Sequence, residues 1–300
     1  MRVSFDETRR NKFKSILLMS FFIFIIGFLG AFIGLIYGSL AFGLTIAIIF
    51  ALIYSLIAYF SGDSMVLRMA GARPLTKDEF PHLHHAIEGL SIAAGIPPPK
   101  AYVIEDPSPN AFATGRKPET ASVAVTTGLV KILNRQELEG VLAHEIAHVK
   151  NLDIRFMMLT TVMVGVIVLL SDFLLRTFLW SSISGRRSSG NGGAAVIVLI
   201  VIGIVLAILT PLVAQLIKLA ISRKREYAAD ATAATLTRYP QGLADALKKI
   251  SGQSVELRND NKAMAHMYIS PPYKKKKGWL RGLFSTHPPT EERIKRLEQM

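Results

Sequence analysis

From Ser15 to Gly62 the chain carries no charged residue, a run of 48 positions. One bilayer-spanning helix needs about 20 apolar residues, so this run is long enough for two. Lipid offers no partner to backbone N–H and C=O groups, and an apolar run of this kind must satisfy them internally, as helix. The residues suggest a division into 15–36 and 40–60, with a turn at Tyr37-Gly38-Ser39. The first stretch exceeds the apolar part of a secretory signal peptide, and a second follows with no clear cleavage site between them. Residues 1–62 therefore read as an amino-terminal tail and a transmembrane hairpin. Arg9, Arg10, Lys12 and Lys14 stand just ahead of it. By the positive-inside rule they hold the amino terminus in the cytoplasm, and two crossings return the chain there.

Half of the residues are hydrophobic, as expected of a protein with membrane segments. The net charge of +13 is uneven. Residues 218–300 carry seventeen basic and eight acidic side chains, whereas residues 63–155 carry ten and eleven. The charges flank apolar segments and accompany no nucleic-acid-binding motif, so no nucleic-acid partner is expected. Cysteine is absent. Disulfides and thiolate metal sites are thereby excluded, and any metal must be held by His, Asp or Glu.

Residues 63–155 read as a soluble unit. Leu83, Ile87 and Leu90 recur at helical spacing, with Thr76 and Glu79 as a capping box and Gly95 and Pro97 as the stop. Short strands are expected at 101–104, 111–114 and 121–126, separated by Pro and Gly turns. A further helix starts at Asn134, with Glu137 as its capping partner, and continues along a stripe of Leu138, Val141, Leu142 and Ile146. Residues 156–217 form a second hydrophobic hairpin, interrupted by Asp172 and Arg176 at a spacing that lets them pair and by the Gly/Ser linker at 181–193. Residues 218–300 return to a soluble, mostly helical segment, with helices expected at 218–238, 241–252 and 288–299.

The chemistry is concentrated in "HEIAH", residues 144–148. Two histidines four apart on a helix project from one face, a spacing that suits two ligands on one tetrahedral zinc. Glu145, between them, is placed to act as general base toward a metal-activated water. A catalytic zinc usually keeps three protein ligands and one open position. The residues leave the third open among His82, His84, His85, His266, His287 and the carboxylates. "ISRKREYAADATAATL" offers Glu226, with Asp230 one turn later in a position to accept a hydrogen bond from a ligand imidazole. Such Glu-x-x-x-Asp pairs are common in helices.

Four motifs, "NAFATG", "HEIAHVKNLD", "SRKREYAADATAA" and "STHPPTEERIKRL", follow one another in this chain. Together with the two hydrophobic pairs, they make it resemble the HtpX-type membrane metallopeptidases, gluzincins related to the CAAX prenyl endopeptidases, over nearly its whole length. The resemblance implies a multi-pass α-helical membrane protein with a mainly α (α+β) zinc metallopeptidase domain and a small edge-strand sheet. Residues 63–155 and 218–300 would be its two halves. One Zn2+ per chain is implied, on His144, His148 and Glu226, with Glu145 as base and Asp230 supporting an imidazole. His287 is implied near the site, where it would help hold the oxyanion. "NAFATG" resembles the family's edge strand, so Asn110, Ala111 and Phe112 are expected to meet a peptide substrate through backbone hydrogen bonds.

The expected activity is that of a zinc-dependent endopeptidase in the cell membrane, its catalytic domain facing the cytoplasm and its partners the bilayer and polypeptide substrates. The resemblance further implies quality control of misfolded membrane proteins. A CAAX-type prenyl-peptide endopeptidase would share the chemistry but use more spans. An inactive metal-bearing scaffold would not need Glu145. A peripheral lipid binder relying on its basic tail would be released by salt, which the 48-residue uncharged run opposes. His82, His84 and His85 read as a solvated helix face, and "KKKKGWL" (274–280) as a solvated loop or, alternatively, a contact with anionic lipid through its lysines and Trp279.

Overall fold

A computed structural model describes residues 2–36, 38–184, 223–253, 262–264, 266–269 and 288–300. Its helices are α1 (Arg2–Ile36), α2 (Leu40–Met69), α3 (Pro81–Ala94), α4 (Thr127–Ile132), α5 (Arg135–Lys150), α6 (Asp153–Ser184), α7 (Arg223–Thr237), α8 (Pro240–Gly252) and α9 (Thr290–Leu297). The strands are β1 (Arg73–Pro74), β2 (Lys100–Ile104), β3 (Ala111–Thr114) and β4 (Ser122–Thr126).

The uncharged run folds as the expected hairpin. Gly38 takes a positive φ of 85° in the turn, and the Ser39 hydroxyl caps α2 by accepting from the Phe42 N–H at 3.4 Å. No side chain separates the helices where they are closest. A Cβ on Gly43 would lie 2.3 Å from the Gly30 carbonyl oxygen, and one on Gly30 would lie 2.6 Å from that of Gly43. Small residues allow this backbone approach, which drives helix pairing where no hydrophobic force operates. Large apolar side chains such as Phe24, Phe28, Phe42 and Phe60 point outward and are exposed. Asn11–Leu35 and Leu40–Met69 are each long and apolar enough to cross a membrane.

These helices outrun the expected 15–36 and 40–60. α2 continues past Asp63 because Val66 and Leu67 are buried in the core, so its last turns pack on protein. The second hydrophobic region also departs from expectation. α6 begins at Asp153 and runs without interruption through Asp172, Arg176 and the first four residues assigned to the linker. Backbone hydrogen bonding carries it through positions that composition marked as breaks. α6 packs against both α1 and α2. The Tyr54 hydroxyl of α2 donates to the Val162 carbonyl of α6 at 3.0 Å. α5 and α6 meet at 86°, across a turn in which Leu152 takes a φ of 57°, unusual for a residue with a branched side chain. Among the described residues, two straight spans are present; the expected fourth segment at 188–217 lies outside them.

In the soluble part the strands fall where expected, in the order β1-β2-β4-β3. β2 and β4 are parallel, and the outer pairs are antiparallel. β3 is therefore an edge strand. α3 starts later than the Thr76 cap implied. Residues 76–79 form a turn, Glu79 pairs with Arg73 at 2.8 Å, and Pro81 opens the helix at a position where its missing N–H costs nothing. α5 has the expected capping box, with Asn134 and Glu137 bonding each other's backbone N–H. Its stripe of Leu138, Val141, Leu142 and Ile146 is buried. α5 packs against α3, α7 and α8, and β3 runs beside it.

Two glycines give opposite expectations. Gly43→Val places branched carbons against the Gly30 backbone and lowers the thermal midpoint of the detergent-solubilised protein. Gly89, exposed within α3 with open space where a Cβ would go, gains from alanine by about 0.5–1 kcal/mol through helix propensity. Thermal unfolding of both variants checks the pair.

Candidate active site

The i, i+4 period of α5 stacks His144 and His148 on the face that α7 covers. Their rings stand 88° apart with centroids at 4.7 Å. The two Nε2 atoms are 3.2 Å from each other. Glu226, in the first turn of α7, brings Oε1 to 3.5 Å from His148 Nε2 and Oε2 to 3.8 Å from His144 Nε2. Among the described residues, this trio forms the group of His and carboxylate side chains able to hold a metal ion. All three are buried.

Each imidazole is held from behind. His144 Nδ1 lies 2.9 Å from Asp230 Oδ1, and His148 Nδ1 lies 3.1 Å from Asp153 Oδ2. A carboxylate on Nδ1 keeps the proton there and turns the Nε2 lone pair toward the shared point. Asp230 is in turn gripped by Arg293 of α9, whose Nε and Nη2 donate at 2.9 and 2.7 Å. The same guanidinium reaches Glu226 at 3.6 Å. Arg293 is only 1% exposed.

Electrostatics follow from this burial. For His144, burial and the nearby Arg293 charge lower the pKa, opposed by Asp230. Burial also pushes on His148, but the Asp153 hydrogen bond and the charges of Glu226, Asp153 and Glu145 carry it up to about 9. Burial raises Glu145 to about 7; Glu226 adds to this, while His148 and a hydrogen bond from the Ala113 backbone N–H oppose it. Burial would raise Asp230, yet Arg293 and His144 hold it at about 2. Burial would lower Arg293, but Asp230, Glu226 and Glu145 raise it above its ordinary value.

Four buried carboxylates, Glu145, Asp153, Glu226 and Asp230, thus face two buried guanidiniums, Arg225 and Arg293. With every carboxylate ionised and both imidazoles neutral, as metal ligands must be, four against two leaves two negative charges. Together with two nitrogen donors and one oxygen donor, that excess fits a divalent cation such as zinc.

The sequence reading placed His144, Glu145, His148, Glu226 and Asp230 here, and the structure brings all five together. Asn110, Ala111 and Phe112 lie beside them on β3 and are buried. Their edge is already engaged. Asn110 Oδ1 accepts from the Ala111 N–H at 3.1 Å, the Ala111 carbonyl accepts from the Ile269 N–H at 3.0 Å, and the Phe112 ring packs edge-on against Tyr268 at 5.5 Å. His287 lies outside the described residues. His82 and His85 are exposed, in keeping with a solvated helix face. The reading missed Arg293 and Asp153. Both stood within quoted motifs, and Arg293 shares a helical face with Leu297, which is buried in α9.

The model of peptidase family M48 matches residues 77–300. A protein named "Protease HtpX homolog" from Dictyoglomus thermophilum is 51% identical over 243 residues, covering 81% of this chain and 77% of that protein. The proteins of the same name from Tropheryma whipplei and Listeria monocytogenes serotype 4a are each 44% identical. They cover 97% and 99% of this chain, and 96% and 99% of their own length. The chain belongs to peptidase family M48 and is a membrane metalloprotease, as its four motifs implied.

Two outcomes test the site. A cation taken at His148 Nε2 displaces the proton that His148 holds below about 9. Apparent zinc affinity therefore rises with pH from 7 toward 9, by up to about tenfold per unit, and then levels. Calorimetry in buffers of different ionisation enthalpy reads the released proton; an affinity flat across that range contradicts the assignment. Arg293→Met leaves Asp230 buried without its guanidinium partner, and an unfolding titration should show a loss of about 3–5 kcal/mol.

Proposed function

We propose that this protein is a zinc-dependent endopeptidase in which His144, His148 and Glu226 hold the metal and Glu145 is the general base. The convergence of those three donors beside a buried carboxylate near neutrality carries the reading. Bound zinc supplies Lewis acidity toward the scissile carbonyl and lowers the pKa of a water toward ~7.

The remaining chemistry belongs to the chain. Glu145, raised to about 7, takes a proton from the attacking water and delivers it to the nitrogen of the departing amine. A base with a pKa near the working pH both accepts and returns that proton readily. Asp230 accepts from His144 Nδ1 and fixes the tautomer that presents Nε2. A substrate extended along the outer edge of β3 would take the Ala111 carbonyl from the Ile269 N–H and the Ala113 N–H from Glu145; Asn110 and Phe112 shape that edge. The family resemblance gives His287, outside the described residues, the role of holding the oxyanion.

The basic residues ahead of α1 support a cytoplasmic site by the positive-inside rule. The substrates we favour are unfolded segments of membrane proteins, in a quality-control role, because backbone pairing at a strand edge reads little side-chain identity. A prenyl-peptide chamber would call for more spans than the two, or three with the bent pair of α5 and α6, among the described residues.

Wild type and Glu145→Gln, purified in detergent and loaded with zinc, are offered an unfolded casein-like substrate. The variant keeps its metal and loses about 10²–10⁴-fold in kcat. Equal cleavage by both proteins would sink the mechanism. Glu226→Ala loses zinc by metal analysis, and full occupancy in that variant removes Glu226 from the ligand set.

A further inference from the structure

The charged end of the first membrane helix reaches the metal centre. Asn11 of α1 is 2% exposed, and its Nδ2 donates to Asp153 Oδ1 at 2.7 Å. The other oxygen of Asp153 faces His148 Nδ1 at 3.1 Å. A weaker contact from Asn11 Nδ2 reaches the Asn151 carbonyl at 3.3 Å, in the turn that joins the two. Three segments 142 residues apart at the extremes thus meet through one carboxylate.

Several features hold that carboxylate in place. Asp153 is the first residue of α6, where the unpaired N–H groups of a helix favour an anion. Leu152, at φ 57°, makes the turn that swings Asp153 back over the end of α5. The Arg225 guanidinium of α7 approaches Asp153 Oδ1 at 3.4 Å, next to Glu226 in sequence. All three polar partners are buried, so each bond forms away from competing water. Asp153 plays no part in the proton transfers derived above and touches neither substrate nor the reacting atoms.

We propose that Asp153 is the positioning residue for His148, and that Asn11 fixes Asp153, so that docking of the first membrane helix sets the zinc affinity of the catalytic centre. This rests on the reading of His144, His148 and Glu226 as the zinc ligands. The Asp153 carboxylate holds the Nδ1 proton and aims Nε2 at the metal position. Asn11 keeps the carboxylate from rotating off that line. A free carboxylate at the end of a strained turn has other rotamers open to it; the Asn11 bond removes them.

The test measures zinc itself on the full chain in detergent, by competition with a chromophoric chelator, with the Co(II) absorption spectrum as a second readout of ligand geometry. Asp153→Asn keeps the volume and loses the charge, and weakens zinc about 10–100-fold. Asn11→Ala leaves the carboxylate in place and weakens zinc by about 3- to 10-fold, the worth of one hydrogen bond, with a changed Co(II) spectrum. In the double variant the Asn11 effect vanishes, because it acts only through Asp153. Tyr54→Phe removes the bond from α2 to the Val162 carbonyl of α6, leaves the Asn11–Asp153 contact of α1 intact, and keeps wild-type affinity. Should Asp153→Asn fail to accumulate, Asn11→Ala against Tyr54→Phe still decides.

Wild-type affinity and spectrum in Asn11→Ala overturn the proposal. So does an undiminished Asn11 effect in the double variant, or an equal loss in Tyr54→Phe. A wild-type protein that binds no zinc instead removes the ligand assignment beneath it, a separate result.

Discussion

Buried negative charge beside two imidazoles is the condition the molecule is organised around. Four carboxylates against two guanidiniums leave an excess that a bound divalent cation offsets, and that protons on His148 and Glu145 offset without one. The chain places those groups on α1, α5, α6, α7 and α9, so satisfying the charge also fastens together elements from its beginning, middle and end. Arg293 closes the carboxyl-terminal side by gripping Asp230 and approaching Glu226. Arg225 and Asn11 close the other side through Asp153. Ion pairing of this kind adds little net stability, but removing one partner exposes the full cost of the other. In this packing each of these groups meets a partner drawn from another element.

How much was legible in the sequence depends on the range of the interaction involved. The hairpin, the strands and α5 were legible because each rests on local signals: a run without charge, Pro and Gly punctuation, and a capping box. His144, Glu145 and His148 were legible for the same reason, since their relation is one helical turn. Glu226 was not, because an acidic residue one turn from another is ordinary in a helix; only motifs in register across the chain pointed to it. Arg293 meets Asp230 across 63 residues, and Asp153, though five residues from His148, is tied to Asn11 across 142; no local pattern encodes the longer links. The late start of α3 has a similar origin. Thr76 and Glu79 had the right spacing for a cap, but Arg73 claimed the Glu79 carboxylate.

The order of elements explains why a water-activating centre sits against apolar helices. α5 carries two of the donors and ends at Lys150; three residues later the chain enters α6, which packs on the membrane hairpin. The third donor, Glu226, appears only when the chain resumes as α7. The near-right-angle turn between α5 and α6 lets one segment serve the site and the next serve the hairpin without a linker between them. Distance between centre and apolar surface is thereby fixed by a two-residue turn.

The Ala113 N–H hydrogen-bonds the Glu145 carboxyl from the outer edge of β3. Glu145 is therefore held from two elements at once, its own helix α5 and the strand beside it. The two imidazoles share only the first of these supports. A shift of β3 along α5 would thus move the carboxyl relative to His144 and His148 while leaving the spacing of the two histidines unchanged.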